Sequence, residues 1–180
     1  MKAARIMIAM FAFAAGALLT HRAYVVLVRY HAYDDRIREA SLPRGLDPPF
    51  VSALIWRESR FDASRRGKAG EIGLMQVRPD AAYEWARAHR SPAPGAGELL
   101  DPSTNLAVGT WYLARAVERW SGRADPLPYA LAEYNAGRSN ALRWAAAANT
   151  NDARAFEAAI TYGATRRYVR EILHRYRGDR

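Results

Sequence analysis

The stretch that decides the fold reads GLDPPFVSALIWRESRFDA and spans residues 45–63. Asp47 followed by two prolines is typical of a helix start, because aspartate can cap free backbone N–H groups and proline fits the first helical turn. Apolar residues then recur at helical spacing: Phe50, Val51, Leu54 and Ile55. This periodicity predicts a helix with one face turned towards a core.

Glu58 continues the same apolar face, since it lies four residues after Leu54 and seven after Val51. A carboxyl group there is partly removed from water, and desolvation raises the pKa of a carboxylic acid. A raised pKa suits a general acid that works near neutral pH. An internal ion pair with one of the many arginines is the competing interpretation, and Glu58 alone does not decide between them.

The rest of the chain also reads as successive helices. Asp101-Pro102-Ser103 opens a long helix, and Pro126 begins another that ends near Gly137. Further helices are predicted over residues 138–148, 155–160 and 166–176. The alternation typical of β-strands is nearly absent, so the predicted fold class is all-α. We expect one compact domain over residues 30–180.

Composition narrows the possible functions of the 180-residue chain. Half of the residues are apolar and a quarter are charged, which excludes a disordered or collagen-like protein. There is no cysteine, which excludes disulfide scaffolds, thiolate metal sites and cysteine nucleophiles. The formal net charge of +9 points to an anionic partner: nucleic acid, anionic lipid or a negatively charged cell-wall polymer.

The N-terminus is typical of an exported protein. Two basic residues, Lys2 and Arg5, precede an apolar run over residues 6–19, which is too short to span a bilayer. A second apolar patch over residues 23–28 would allow the segment to stay as an uncleaved anchor. We therefore expect residues 1–28 to be a signal peptide or a membrane anchor, and the protein to be periplasmic, associated with the inner membrane if the anchor is kept.

Two short motifs combine residues that can contact a ligand. The first, GLMQ at residues 73–76, begins fifteen residues after Glu58, and Gln76 offers both a donor and an acceptor. The second, AEYNAG at residues 132–137, places a tyrosine and an asparagine at a helix end. A helix start explains the first motif equally simply, and helix capping by Asn135 explains the second.

Together these motifs resemble the soluble lytic transglycosylase domain. The resemblance covers residues 36–176 in family order and spacing. It includes Glu58-Ser59 within the opening helix and four further stretches: GLMQ at 73–76, LLDPSTNLAVGTWYLARAVERW at 99–120, ALAEYNAGRSNALRW at 130–144 and ATRRYVREIL at 164–173. It implies a goose-lysozyme-like helical fold and an enzyme that cuts the glycan strands of peptidoglycan.

The resemblance also implies roles for individual residues. Glu58 would be the single catalytic group, first protonating the oxygen between N-acetylmuramic acid and N-acetylglucosamine and then taking the proton of the C6 hydroxyl. The product would be a 1,6-anhydromuramyl end. The implied substrate-binding residues are Ser59, Gly73, Met75, Gln76, Tyr134 and Asn135. No metal and no organic cofactor is implied, and the four histidines show no ligand spacing.

The sequence departs from the family pattern at several positions. Gly67 stands nine residues after Glu58, where the family often has a serine thought to contact the substrate. Ala164 replaces a usual glutamate, and Thr161 replaces a usual proline. Glu71 and Glu133 occupy positions where small residues are commoner, which makes them candidates to replace the missing serine.

Three other functions stay open from the sequence. A hydrolytic muramidase on the same fold would use Glu71 or Glu133 as a second carboxylate. A module that binds peptidoglycan without cutting it is suggested by Gly67 and Ala164. A nucleic-acid-binding helical protein is suggested by the net charge, but the export signal argues against it. We expect glycan strands rather than nucleic acid as the partner, and a monomer.

Overall fold

The computed structural model describes residues 31–178 without a gap, together with residues 10, 11, 13, 16–18, 20, 24, 28 and 29. Most of the predicted signal peptide or anchor therefore lies outside the described residues. Among the residues that are described, no helix is both long enough and apolar enough to cross a membrane.

Eight α-helices follow one another between Asp34 and Gly178. They are α1 (Asp34–Ser41), α2 (Pro48–Ser59), α3 (Pro79–His89), α4 (Pro102–Arg119), α5 (Leu127–Ala136), α6 (Arg138–Ala148), α7 (Ala153–Ala159) and α8 (Gly163–Gly178). Two short 3-10 helices, Leu42–Arg44 and Glu98–Leu100, precede α2 and α4. Within residues 31–178 the only β-type pairings are isolated bridges around Ile72, so the predicted all-α class is confirmed.

Aspartates set the start of two helices. Asp101 accepts the Thr104 N–H at 2.8 Å, which caps α4 as the sequence predicts. Asp152 caps α7 in the same way through the N–H groups of Arg154 and Ala155. Asp47 precedes α2 as predicted but makes no capping bond; its Oδ2 instead accepts a hydrogen bond of 2.9 Å from the Tyr176 hydroxyl. This bond joins the start of α2 to the end of α8.

The core is built around α5 and α2. Four consecutive residues of α5, from Tyr129 to Ala132, are fully buried, so this helix is enclosed on all sides rather than lying on the surface. It packs against α4, α6 and α8, while α2 packs against α1 and α8. The apolar face of α2 that the sequence predicts is buried throughout. Glu58 lies at the end of this face, where α2 reaches a cleft.

Candidate active site

A cleft of about 530 Å³ opens where the end of α2 meets the ends of several other segments. The loop between α2 and α3 forms one wall, α3 and α4 form another, and the C-terminal end of α5 closes it. Its polar lining includes Glu58, Glu71, Gln76, Tyr112, Tyr134 and Asn135. The cleft therefore brings together residues that are up to 77 positions apart in sequence, from Glu58 to Asn135.

Glu58 is the penultimate residue of α2 and is held by a tyrosine from the last helix. The Tyr168 hydroxyl donates a hydrogen bond of 2.6 Å to Glu58 Oε1. Burial raises the pKa of Glu58 from its ordinary 4.5 to about 7, although the bond from Tyr168 and the positive charges of Arg57 and Arg65 act in the opposite direction. A carboxyl group with this pKa can give up and take back a proton near neutral pH.

The chain turns sharply just after Glu58. Arg60 and Phe61 both have left-handed backbone angles, with φ of 56° and 59°. Residues other than glycine rarely adopt such angles. Burial of the Phe61 side chain among core residues holds this turn in place. As a result α2 ends at the cleft, and the following loop folds back across it.

The GLMQ segment is fastened to α4 by a buried asparagine. Asn105 accepts the Met75 N–H at 2.9 Å and donates to the carbonyl oxygens of Ile72 and Leu99, both at 2.8 Å. Gly73 has a φ of 78°, and a Cβ atom there would lie 2.7 Å from the Leu99 carbonyl oxygen. Only glycine satisfies both conditions, because it tolerates this backbone angle and has no Cβ.

Met75 lies beneath the cleft rather than in its lining. Its side chain is fully buried, and its Sδ atom would be 2.5 Å from a Cβ added at Gly109 of α4. The Met75 carbonyl oxygen accepts a hydrogen bond of 2.8 Å from the Tyr134 hydroxyl. Met75 thus connects the GLMQ segment both to α4 and to the end of α5.

Two further predicted residues are anchored at the cleft by their amides. The Gln76 Nε2 atom donates to the carbonyl oxygens of Gly73 and Arg65, at 2.9 Å and 3.2 Å. Asn135 Oδ1 accepts a hydrogen bond of 2.8 Å from the Thr165 hydroxyl of α8. Because their amides are fixed in this way, both residues are held in place before any ligand binds.

The predicted site residues fall into three groups. Glu58, Gln76, Tyr134 and Asn135 line the cleft, while Gly73 and Met75 support it from below. Ser59 is 1% exposed, does not line the cleft and donates its hydroxyl to the Ile55 carbonyl oxygen within α2. The structure therefore gives Ser59 a place inside the helix packing, because neighbouring residues of a helix point in different directions.

Sequence reasoning missed two residues on which this geometry depends. Tyr168 falls within the helix predicted over residues 166–176, together with Val169, Ile172 and Leu173, and nothing in that apolar pattern distinguishes a packed tyrosine from one that bonds to Glu58. Asn105 was not singled out, although a polar residue next to Leu106 on a buried helix face is a usable signal.

The two unusual glutamates have different surroundings. Glu133 is 1% exposed, pairs with Arg119 and accepts the Trp120 indole N–H at 2.8 Å. Both oxygens of its carboxylate are therefore already bonded, and the residue does not line the cleft. Glu71 lines the cleft together with Gly67 and Glu58. Of the two candidates to replace the missing serine, only Glu71 therefore lies in the cleft.

Among the described residues, no group of three or more histidine, aspartate or glutamate side chains is placed to hold a metal ion.

Residues 35–157 match the family model of the Transglycosylase SLT domain. The chain belongs to this family.

The relatives of this chain include proteins much longer than it is. The chain is 30% identical to the soluble lytic murein transglycosylase of Salmonella typhimurium over 144 residues, which make up 79% of the chain and 22% of the relative. It is 33% identical over 121 residues to the membrane-bound lytic murein transglycosylase C of Salmonella paratyphi B, covering 64% of the chain and 34% of the relative. The chain thus spans about a fifth to a third of these relatives.

The fold agrees with a solved SLT structure. The 70 kDa soluble lytic transglycosylase Slt70 from Escherichia coli superposes with a TM-score of 0.74 at 28% identity, over 82% of this chain and 24% of Slt70. The predicted lytic transglycosylase-like helical fold is confirmed by this match. Because the match covers only a quarter of Slt70, it concerns the helical domain and not the rest of that protein.

Proposed function

We propose that the chain is a peptidoglycan lytic transglycosylase that cleaves the β-1,4 bond between N-acetylmuramic acid and N-acetylglucosamine without water. The observation that carries the proposal is Glu58, a carboxyl group with a pKa of about 7 that is bonded to Tyr168 at the side of a cleft. Such a group can serve as an acid and then as a base at the same pH. Membership of the SLT family supports the choice of substrate.

In the first step, protonated Glu58 donates its proton to the glycosidic oxygen. The bond from the muramyl C1 to that oxygen breaks, and N-acetylglucosamine leaves as an alcohol. The carbonyl oxygen of the muramyl acetamido group forms a bond to C1, which gives a cyclic oxazolinium cation. Glu58 is now an anion next to a cation, an arrangement that the partly desolvated cleft favours.

In the second step, the Glu58 carboxylate takes the proton of the C6 hydroxyl on the same sugar. Oxygen O6 forms a bond to C1, while the bond between C1 and the acetamido oxygen breaks. The acetamido group is regenerated and Glu58 is protonated again, so the enzyme returns to its starting state. The two steps exchange one C–O bond for another and consume no water.

The other cleft residues hold the substrate and the acid in place. Gln76 and Asn135 supply amide groups beside the sugar, and Tyr134 closes the wall behind it. Burial raises the pKa of Tyr134 and of Tyr168 well above 10, so both phenols stay neutral hydrogen-bond donors throughout the cycle. Glu58 is therefore the group in this set that changes its protonation state.

The product distinguishes this reaction from its closest rival. Digestion of purified peptidoglycan sacculi is expected to yield muropeptides with 1,6-anhydro ends, which mass spectrometry detects because they are lighter by one water than hydrolysed fragments. A hydrolytic muramidase, which the carboxylate of Glu71 in the cleft would suit, would instead create new reducing ends. A module that only binds peptidoglycan would leave the strands uncut. Either result would overturn the proposal.

Tyr168→Phe is expected to change the pH dependence of turnover. Glu58 must be protonated to begin the reaction, so activity falls as the pH rises through its pKa. The bond from the Tyr168 hydroxyl lowers this pKa, so its removal should raise the pKa. The falling limb of the pH–rate profile should then move to higher pH by about one unit, which is the size expected for a hydrogen bond to a charged group.

The pH profile of initial rates on soluble peptidoglycan glycan strands measures this shift. Tyr176→Phe is the matched control, because it removes a hydroxyl bonded to Asp47 and lies outside the cleft lining. A Tyr168→Phe profile that coincides with the wild type would show that the hydroxyl does not control the proton of Glu58.

Export to the periplasm belongs to the same proposal, since peptidoglycan lies outside the inner membrane. We expect residues 1–28 to direct this export, either as a signal that is cleaved or as an anchor that keeps a monomeric domain at the membrane. The mass of the protein recovered from a bacterial periplasm or membrane fraction tests it. A full-length protein confined to the cytoplasm would contradict export.

A further inference from the structure

Besides Glu58, three carboxylates line the cleft: Glu71, Asp80 and Glu84. Glu71 occupies the space that a side chain at residue 67 would need. A Cβ atom added at Gly67 would collide with Glu71 Oε2 and lie 2.9 Å from the Glu71 Cβ and Cδ atoms. Gly67 is not at a left-handed backbone angle, so the backbone itself does not demand glycine there. The absence of a side chain at residue 67 is therefore linked to the position of the Glu71 carboxylate.

The turn that carries Glu71 also fixes the direction of its side chain. The Gly67 N–H donates to the Glu71 carbonyl oxygen at 2.7 Å, which closes the turn. The Ala69 N–H donates to Glu71 Oε2 at 2.9 Å, which holds the carboxylate over Gly67. A glutamate held in this way loses less freedom on meeting a ligand than a mobile one, since its conformation is already restricted.

The charge of Glu71 acts on Glu58 across the cleft. Both residues line it, and the negative charge of Glu71 is one of the influences that raise the pKa of Glu58. At the start of the reaction Glu58 is protonated and neutral, so it offers no charge to the sugar. Positive charge nevertheless develops at C1 and on the acetamido nitrogen as the glycosidic bond breaks. A fixed anion beside that charge lowers the barrier most in a partly desolvated site.

We infer that Glu71 is a second catalytic residue of this cleft, which accepts a hydrogen bond from the muramyl acetamido N–H and stabilises the oxazolinium cation. The inference rests on the proposed function, because it assumes the substrate-assisted reaction. Glu71 forms no covalent bond and moves no proton. Its role is electrostatic, and it depends on the open space above Gly67.

The experiment compares Glu71→Gln with the wild type on purified peptidoglycan sacculi. Turnover is expected to fall about tenfold to a hundredfold with little change in KM, because the charge acts on the transition state more than on bound substrate. The falling limb of the pH profile should also move to lower pH, since Glu71 raises the pKa of Glu58. Glu98→Gln is the matched control: Glu98 likewise accepts a loop N–H, from Gly95 at 2.8 Å, but does not line the cleft.

A double-mutant cycle with Gly67→Ala tests whether the carboxylate must occupy this particular place. Alanine at residue 67 forces the Glu71 side chain to move, so turnover should fall in the wild-type background. In the Glu71→Gln background the same change should have little further effect, because the charge is already gone. Additive losses would overturn the inference, and so would wild-type turnover in Glu71→Gln.

The products separate this inference from the proposed function. If the wild type yields 1,6-anhydro ends and Glu71→Gln is as fast as the wild type, only the role of Glu71 is overturned. If the wild type yields reducing ends that disappear in Glu71→Gln, Glu71 activates water, and both the inference and the proposed transglycosylase reaction are overturned.

Discussion

Glu58→Gln is expected to lower turnover on peptidoglycan at least about a hundredfold, since a positioned acid or base contributes roughly 10²–10⁴ in rate. Glutamine keeps the size of the side chain and can still bond to the Tyr168 hydroxyl, but it has no proton to give and cannot take one back. Release of soluble muropeptides from sacculi measures the loss. The far-ultraviolet circular dichroism spectrum should be unchanged, which shows that the fold survives.

Glu157→Gln serves as the matched control, because Glu157 is also a partly buried glutamate but pairs with Arg170 away from the cleft. It should retain turnover close to that of the wild type. If Glu58→Gln retained it as well, Glu58 would not be the acid, and the proposed mechanism would fail.

Glu58→Gln should also alter the stability of the protein in a pH-dependent way. The pKa of Glu58 is higher in the folded protein than its ordinary value of 4.5, so folding takes up a proton between about pH 4.5 and 7. The wild type therefore loses stability as the pH rises through this window, by at most about 3 kcal/mol for a shift of this size. Glutamine does not titrate. The Tm of Glu58→Gln should match the wild type at pH 4 and exceed it at pH 8.

Asn105→Ala is expected to cause the largest loss of stability. It leaves the Met75 N–H and the Leu99 carbonyl oxygen without the amide that bonds to them in a buried site, while the Ile72 carbonyl oxygen keeps its bond of 2.9 Å from the Val77 N–H. An unsatisfied buried polar group costs about 1–3 kcal/mol, so the free energy of unfolding should fall by about 3–5 kcal/mol. The Tm should then drop by roughly 10 °C.

Thermal denaturation followed by circular dichroism measures this loss, and turnover below the new Tm reports on the GLMQ segment. Asn140→Ala is the control, since Asn140 is only partly buried: its amide donates to the Ala136 carbonyl oxygen at 2.7 Å and accepts an exposed hydrogen bond from Arg143. Its Tm should change by only a few degrees. Equal effects of the two substitutions would mean that Asn105 is not what fastens the GLMQ segment to α4.

The fold was predictable from the sequence because its signals are local. Apolar periodicity and the residues at helix starts depend on neighbours a few positions away, and they located α2, α4, α5 and α6 closely. The sequence did not show how Asp47 is used: a capping aspartate and one that bonds to a distant tyrosine look alike until the chain is folded.

The candidate site was predictable in part for the same reason. The position of Glu58 on an apolar face indicated desolvation, and the raised pKa agrees with that interpretation. The family resemblance also implies Ser59 as a substrate-binding residue, but Ser59 follows Glu58 on the helix and points in a different direction, into the helix packing. The roles of Tyr168 and Asn105 depend on contacts between segments, which no single stretch of sequence encodes. The position of the Glu71 carboxylate, in contrast, is set within its own loop by Ala69 and Gly67.

The hydrogen bond between Tyr168 and Glu58 also determines at which point of synthesis the cleft can be completed. It joins residues 110 positions apart, and the bond from Thr165 to Asn135 likewise needs the last helix. Bringing such distant residues together requires closing long loops, which happens late in folding. A nascent chain that ends before α8 already contains Glu58, Gln76 and Tyr134, yet it has neither bond. Synthesis of the final helix is thus what completes the cleft, so an unfinished chain does not carry the assembled acid.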